Sequence, residues 1–171
     1  NSSNALTPGV YFFSSSAQLT GDLYLDAQNN ANALWVFQIG STLTTASASS
    51  VNVVNGLANS DYGLFWQVGS SATLGTSTAF AGNIIADKSV TLNTSATILC
   101  GRAFALNDAV TMDTNTISND CEADDITGST DYGTEGYSGS GDTVAVVPVP
   151  ATLALMAVAL MGLASTRRSQ A

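Results

Sequence analysis

The residue types that most often carry chemistry are scarce in this sequence. It contains no histidine, so the commonest general base and the commonest metal ligand are both missing. Lys88 and Arg102 are the only basic residues among the first 121. The acidic side chains of that region include Asp22, Asp26, Asp87, Asp108 and Asp113, and their spacing matches no pattern of a hydrolase or lyase. The sequence therefore predicts a protein that is not an enzyme and needs no metal or cofactor.

Charge divides the chain and limits its partners. The net charge is −9 with four Lys and Arg in total, which argues against nucleic-acid binding. Charged residues make up only 10% of the sequence, so uncharged polar residues must cover its surface. Residues 122–143 are acidic and rich in Gly and Ser, a composition typical of a linker. Their acidic residues lack the spacing of a calcium loop.

The C-terminal segment 144–171 has the pattern of a membrane-inserted tail. Residues 144–166 carry no charge, and Arg167 and Arg168 follow directly. The Leu, Ala and Met residues favour a helix close to the length that spans a bilayer, with the basic pair on the cytoplasmic side. The alternative, a buried core helix, fits less well because the segment lies beyond a linker and is apolar on all sides.

A short motif precedes this apolar run: Val147, Pro148, Val149 and Pro150. Together with the apolar run and the terminal arginines, it resembles a PEP-CTERM sorting signal, although Val149 stands where such signals usually have Glu. The resemblance implies export across the inner membrane of a Gram-negative bacterium and transient anchoring there by the tail. It also implies an exosortase as partner and a secreted or cell-surface destination.

Residues 1–121 contain internal repeats. Segment 33–45 resembles 62–76, segment 89–94 recurs as 109–114, and 81–86 is echoed by 100–105. A spacing of about twenty residues suits one turn of a three-sided β-solenoid. The interval of 29 residues between 33–45 and 62–76 predicts an inserted loop near 55–63. Cys100 and Cys121 are too few for a zinc site, but they lie about one turn apart and can form one disulfide in an exported protein.

Apolar and polar residues alternate within the repeats, as in strands with one buried side. In 89–94, Val90 and Leu92 share one side while Thr91 and Asn93 share the other. The outward residues are mostly Thr and Ser, and any single Thr is simply a good strand residue. An ordered array is different: stacked strands would place threonines on a flat, rigid, uncharged grid that can hold water in an ice-like layer.

At this point the sequence resembles a known family, the DUF3494 ice-binding proteins. The resemblance rests on segments 6–27, 37–56, 65–86 and 101–118 and covers nearly all of 1–121. It implies a right-handed, discontinuous β-solenoid that adsorbs to ice through a flat face and inhibits ice growth and recrystallisation. The family's first coils and long helix have no counterpart here, so the solenoid is expected to be truncated at its N-terminus.

The family has no invariant ice-binding motif, so a face is inferred in place of a residue list. The first choice joins "STLTT", "SATLGT" and "SATIL" and comprises Thr42, Thr44, Thr73, Gly75 and Thr97. The second choice comprises Thr91, Asn93 and Thr111, and the charge of Asp113 counts against it.

A structural role without ice activity is the alternative function. A surface adhesin or exopolysaccharide-matrix protein would also carry such a tail. Aromatic side chains can bind sugars by stacking, but packing in the core is the better explanation for these four: Trp35, Phe37, Phe65 and Trp66.

Overall fold

The computed structural model of the protein describes residues 4–57 and 62–118. Its strands form three five-stranded sheets. Sheet 1 consists of β1 (Gly9–Phe13), β4 (Leu34–Ile39), β7 (Gly63–Val68), β10 (Asn83–Ala86) and β13 (Ala103–Ala105). Sheet 2 consists of β2 (Ala17–Leu19), β5 (Leu43–Thr45), β8 (Ala72–Leu74), β11 (Val90–Leu92) and β14 (Val110–Met112). Sheet 3 consists of β3 (Asp22–Asp26), β6 (Ser50–Val54), β9 (Ala79–Ala81), β12 (Thr97–Leu99) and β15 (Thr116–Ile117).

Three consecutive strands, one from each sheet, make one coil. Each strand pairs in parallel with the strand three positions further along the chain, so five coils stack on one another. The prediction of an all-β, three-sided solenoid is therefore confirmed. The repeats are confirmed too: Leu34 pairs with Gly63, Thr91 with Thr111, and Ile84 with Ala103.

Coil length varies at one corner. The residues Tyr11, Phe37, Trp66, Ile84 and Ala103 are in register, so successive coils advance by 26, 29, 18 and 19 residues. The long third coil start reflects the insertion predicted near 55–63, which lies between β6 and β7. A second long connection, 27–33, joins β3 to β4 and was not predicted.

A ladder of aromatic rings fills the core behind sheet 1. Phe37 stacks on Trp66 with ring centroids 4.0 Å apart, Tyr11 continues the stack on one side, and Phe80 meets Trp66 at 4.9 Å. The indole N–H of Trp66 donates to the carbonyl of Ala81. Because the rings of Phe37 and Trp66 are buried, they are core residues and cannot form a sugar-stacking platform.

The outer surfaces of the three sheets differ in chemistry. Sheet 1 is apolar outside, with exposed side chains at Val10, Phe12, Leu34 and Phe104. Sheet 3 mixes acidic, aromatic, amide and aliphatic residues, beginning with Asp22, Tyr24 and Asp26. Sheet 2 alone presents a regular uncharged hydroxyl surface over the described residues.

Several predictions concern residues outside 4–57 and 62–118. These are Cys121, the linker 122–143, and the tail 144–171 with its helix, Val147, Pro148, Pro150, Arg167 and Arg168. Within the part of the chain that the structure describes, no helix has the length and apolar character needed to cross a membrane.

The hydroxyl surface as candidate functional site

The central feature of sheet 2 is a line of threonines running across the coils. Thr44 of β5 pairs with Thr73 of β8, Thr73 with Thr91 of β11, and Thr91 with Thr111 of β14. We call these four residues the threonine row. Gln18 of β2 occupies the same position in the first coil. Within residues 4–57 and 62–118, the four hydroxyls have no hydrogen-bond partner in the protein, so they remain available to water.

The row is regular because its neighbours in each strand point the other way. Leu43, Ala72 and Leu74 lie buried on either side of Thr44 and Thr73. Parallel strands lie about 4.8 Å apart, so the row repeats at that interval. Branching at Cβ restricts each threonine at χ1 and keeps its methyl and hydroxyl groups in fixed directions.

A second line of small residues flanks the row at the corner between sheets 1 and 2. It consists of Ser16, Thr42, Ser71 and Ser89, each two residues before a member of the central line. Thr42 donates from its hydroxyl to the Ser16 hydroxyl at 2.8 Å, and Ser89 donates to Ser71 at 3.0 Å. This flanking row is therefore partly hydrogen-bonded to itself, while the threonine row is not.

The structure does not bring the five first-choice residues into one column. Thr44 and Thr73 are in register with Thr91 and Thr111, which the sequence had assigned to a competing face. Thr97 lies on sheet 3, between Ala79 and Thr116. The segment "SATIL" resembles the sheet 2 repeats locally, but it follows the corner that leads into sheet 3.

Two further candidates lie off the row. Gly75 is buried, and a Cβ atom added to it would come within 2.6 Å of the Thr45 carbonyl oxygen, so this residue cannot contact a surface. Asn93 begins the corner after β11, where its N–H donates to the Leu74 carbonyl. Thr42 remains beside the row, as predicted.

The cysteine prediction is met at Cys100. This residue is buried after β12 and is disulfide-bonded. Cys121, the one other cysteine of the sequence, lies outside the described residues.

Acidic residues surround the hydroxyl surface without converging. Asp22 accepts a hydrogen bond from the Ser50 hydroxyl on sheet 3, and Asp87 pairs with Lys88 at 3.1 Å at the corner before β11. Across the described ranges, no group of three or more Cys, Asp or Glu side chains could hold a metal ion.

Two exposed carboxylates are stabilised in their charged form. The hydroxyls of Thr94 and then Thr114 donate to Asp113 and lower the pKa of its carboxyl group, with a small opposing effect of burial. The Asn55 amide and then the Gln28 N–H lower the pKa of Asp26 in the same way. Asp113 lies just beyond the end of the threonine row, so its charge is held at the edge of the surface.

We expect acid to weaken the fold through these two carboxylates. A pKa lowered by folding gives stability that is complete above the unfolded value, near 3.8, and lost as the pH falls through the folded value. The thermal midpoint of the wild type, measured from about pH 7 to about pH 2.5, should fall below about pH 4. The double variant Asp26→Asn/Asp113→Asn should show a shallower fall, and an equally steep one would contradict this origin.

The fold and site thus define a class: a parallel three-sheet β-solenoid with one flat, uncharged hydroxyl surface. The sequence matches the Ice-binding-like family over residues 2–118, and the chain belongs to this family. Residues 146–168 match the PEP-CTERM protein-sorting motif, which indicates secretion or sorting to the bacterial cell surface.

Relatives and solved structures agree with this assignment. The chain is 65% identical over 116 residues to an ice-binding protein of Nostoc sp. (strain HG1), covering 68% of this chain and 42% of the relative. It is 34% identical over 115 residues to ice-binding protein 1 of Shewanella frigidimarina, covering 66% of this chain and 13% of the relative. The chain thus spans less than half the length of these relatives.

Two solved structures share the fold. The ice-binding protein of the Antarctic ascomycete Antarctomyces psychrotrophicus superposes with a TM-score of 0.59 at 39% identity, over 68% of this chain and 55% of that one. The DUF3494 domain of the Shewanella frigidimarina protein superposes with a TM-score of 0.62 at 31% identity, over 68% and 48% of the two chains.

Proposed function

We propose that this protein binds ice through the outer surface of sheet 2 and thereby inhibits ice growth and recrystallisation. The observation that carries the proposal is the threonine row: four threonines in register on adjacent strands, with no charged residue among them. The names of the relatives support the ligand, and the contrast between the three outer surfaces supports the face.

The physical argument concerns water. A solid lattice presents the same arrangement of water at regular intervals, so a rigid and regular array of hydroxyl and methyl groups can match it. Charged side chains would orient water differently, and mobile ones would lose conformational entropy on adsorption. The threonine row avoids both costs, because its side chains are short, β-branched and fixed on paired strands.

The proposed face differs from the one inferred from sequence. It contains Thr44, Thr73, Thr91 and Thr111, with Thr42 in the flanking row. It omits Gly75, which is buried, and Thr97, which belongs to sheet 3. Binding without catalysis fits the scattered carboxylates of the body.

Thermal hysteresis and ice recrystallisation inhibition of the purified chain test the function directly. Growth of ice crystals at the melting point, in shapes identical to those in buffer, would contradict it. Retained activity after disruption of sheet 2 would contradict the face but not the function.

Extension of the row offers a test by gain of activity. Replacement of Gln18 by Thr would place a fifth threonine in register with Thr44. We expect thermal hysteresis to rise roughly twofold, because one more rigid contact adds dispersion and hydration energy at the surface. Gln18→Ser, which lacks the methyl group and is less restricted at χ1, is the matched control. A fall in activity on Gln18→Thr would show that the first coil lies outside the binding surface.

The tail gives the protein its proposed route and location. We infer that 144–171 anchors the exported protein transiently in the inner membrane until an exosortase acts on it, leaving a secreted or surface-held solenoid. The PEP-CTERM match supports this route. Fractionation of cells that express the full chain and an Arg167→Gln/Arg168→Gln variant tests it: the variant should accumulate unprocessed or misoriented, and identical distribution would contradict the role of the arginines.

A further inference from the structure

The junction between the second and third coils differs from its neighbours on sheet 2. The first and second coils pair over three residues, ending at Leu19 and Thr45, and the third and fourth also pair over three, ending at Leu74 and Leu92. Between the second and third coils the ladder has only two pairs and stops directly after Thr44 and Thr73. The break therefore lies in the middle of the threonine row.

The backbone donor beyond the break has an unusual partner. At the corresponding position of other coils, the Ala46 N–H donates to the Leu19 carbonyl at 2.8 Å and the Asn93 N–H to the Leu74 carbonyl at 2.9 Å. The Gly75 N–H instead donates to the side-chain hydroxyl of Thr45, also at 2.8 Å. A side chain thus replaces a main-chain carbonyl at this one junction.

The Thr45 hydroxyl is part of a buried chain of hydrogen bonds. It lies 2.8 Å from the hydroxyl of Thr78, which in turn reaches the Ala46 carbonyl at 3.2 Å. A consistent direction runs from Gly75 N–H through Thr45 and Thr78 to Ala46, with each hydroxyl accepting once and donating once. Both threonines are almost completely buried, so every group in the chain needs its partner.

Residue type marks the same junction. The inward position held by Thr45 is Leu19, Leu74, Leu92 and Met112 in the other coils. A hydroxyl in place of a large apolar side chain lets the corner of the third coil approach closely. This approach is visible at Gly75, where any Cβ would lie 2.6 Å from the Thr45 carbonyl oxygen.

We propose that Thr45 and Thr78 are positioning residues for the threonine row. Their linked hydroxyls fix the break in the ladder and so set the offset between Thr44 and Thr73, the pair at the centre of the row. Without the hydroxyls, the Gly75 N–H would turn to the main-chain carbonyl of residue 45, as in the other coils. The two halves of the row would then lose their common alignment. The inference rests on the proposed function, since alignment matters only if the row meets a lattice.

The test compares three variants of the full chain. Thr45→Val/Thr78→Val keeps the shapes and removes both hydroxyls, Thr45→Ser/Thr78→Ser keeps the hydroxyls, and Ser49→Ala removes a buried hydroxyl from the corresponding corner of the preceding coil. Ser49 only reaches the Leu19 carbonyl at 3.4 Å, and the ladder beside it is intact. Thermal hysteresis, measured far below the unfolding temperature, should fall at least about threefold in the valine variant and be retained in the other two.

A second measurement does not depend on ice. Methyl NMR spectra should show shifted or more mobile Thr44 and Thr73 side chains in the valine variant, with Thr91 and Thr111 unchanged. Unchanged Thr44 and Thr73 signals would overturn the proposal even if the wild type proved inactive towards ice, an outcome that would separately end the proposed function. Activity retained in a valine variant with a lowered thermal midpoint would also overturn it, since the pair would then serve stability alone.

Discussion

Replacement of Thr73 by Tyr should abolish most of the ice-binding activity. Thr73 lies inside the threonine row, paired on one side with Thr44 and on the other with Thr91. A phenol ring here would hold an ice surface away from its neighbours, and a gap of even about 1 Å removes a quarter to a half of the dispersion energy of a contact. We expect thermal hysteresis to fall about tenfold, with the thermal midpoint nearly unchanged because the ring points to solvent.

Thr97→Tyr is the matched control. Thr97 is also a half-buried threonine on a short strand, flanked by Ala79 and Thr116, but it lies on sheet 3. It should retain full activity. Loss of activity in this variant together with an active Thr73→Tyr would move the binding surface to sheet 3, and equal losses in both would extend it across the corner.

Replacement of Trp66 by Ala should cause the largest loss of stability. Its indole is stacked between Phe37 and Phe80, and its N–H satisfies the Ala81 carbonyl. The substitution leaves both a cavity and an unpaired buried acceptor. We expect the free energy of unfolding, measured by urea titration, to fall by about 3–5 kcal/mol.

The neighbouring side chain provides the comparison. Phe65 precedes Trp66 on β7 but points to the outer side of sheet 1, where it is half-buried. Phe65→Ala should cost clearly less than Trp66→Ala. Similar costs for the two variants would mean that the aromatic ladder contributes no more than the outer surface does.

The body of the fold was predictable because its information is local. Alternation of apolar and polar residues identified the strands, and repeated segments identified which strands stack. The match between 33–45 and 62–76 is the register that the structure shows, with Leu34 opposite Gly63. Each of these inferences needs only a short window or a comparison of two windows.

The grouping of the threonines failed because sheet assignment is not local. "SATLGT" and "SATIL" look alike, but Thr73 and Thr97 are separated by an entire side of the triangle. The useful signal was the spacing: 18 residues separate Thr73 from Thr91, close to one coil, whereas 24 separate it from Thr97. Composition also could not say which threonines point inward, so the roles of Thr45 and Thr78 became visible only with the corner geometry.

The uneven coil lengths described earlier have a consequence for how such proteins can diversify. The corner between sheets 3 and 1 takes up seven residues after β3 and eight after β6, but one after β9 and three after β12. The corner between sheets 1 and 2 stays at three residues in four coils and four in the fifth. Insertions, deletions or grafted tags are therefore tolerated on the edge remote from sheet 2. Evolution and engineering can change that edge freely while the spacing of the threonines stays constant.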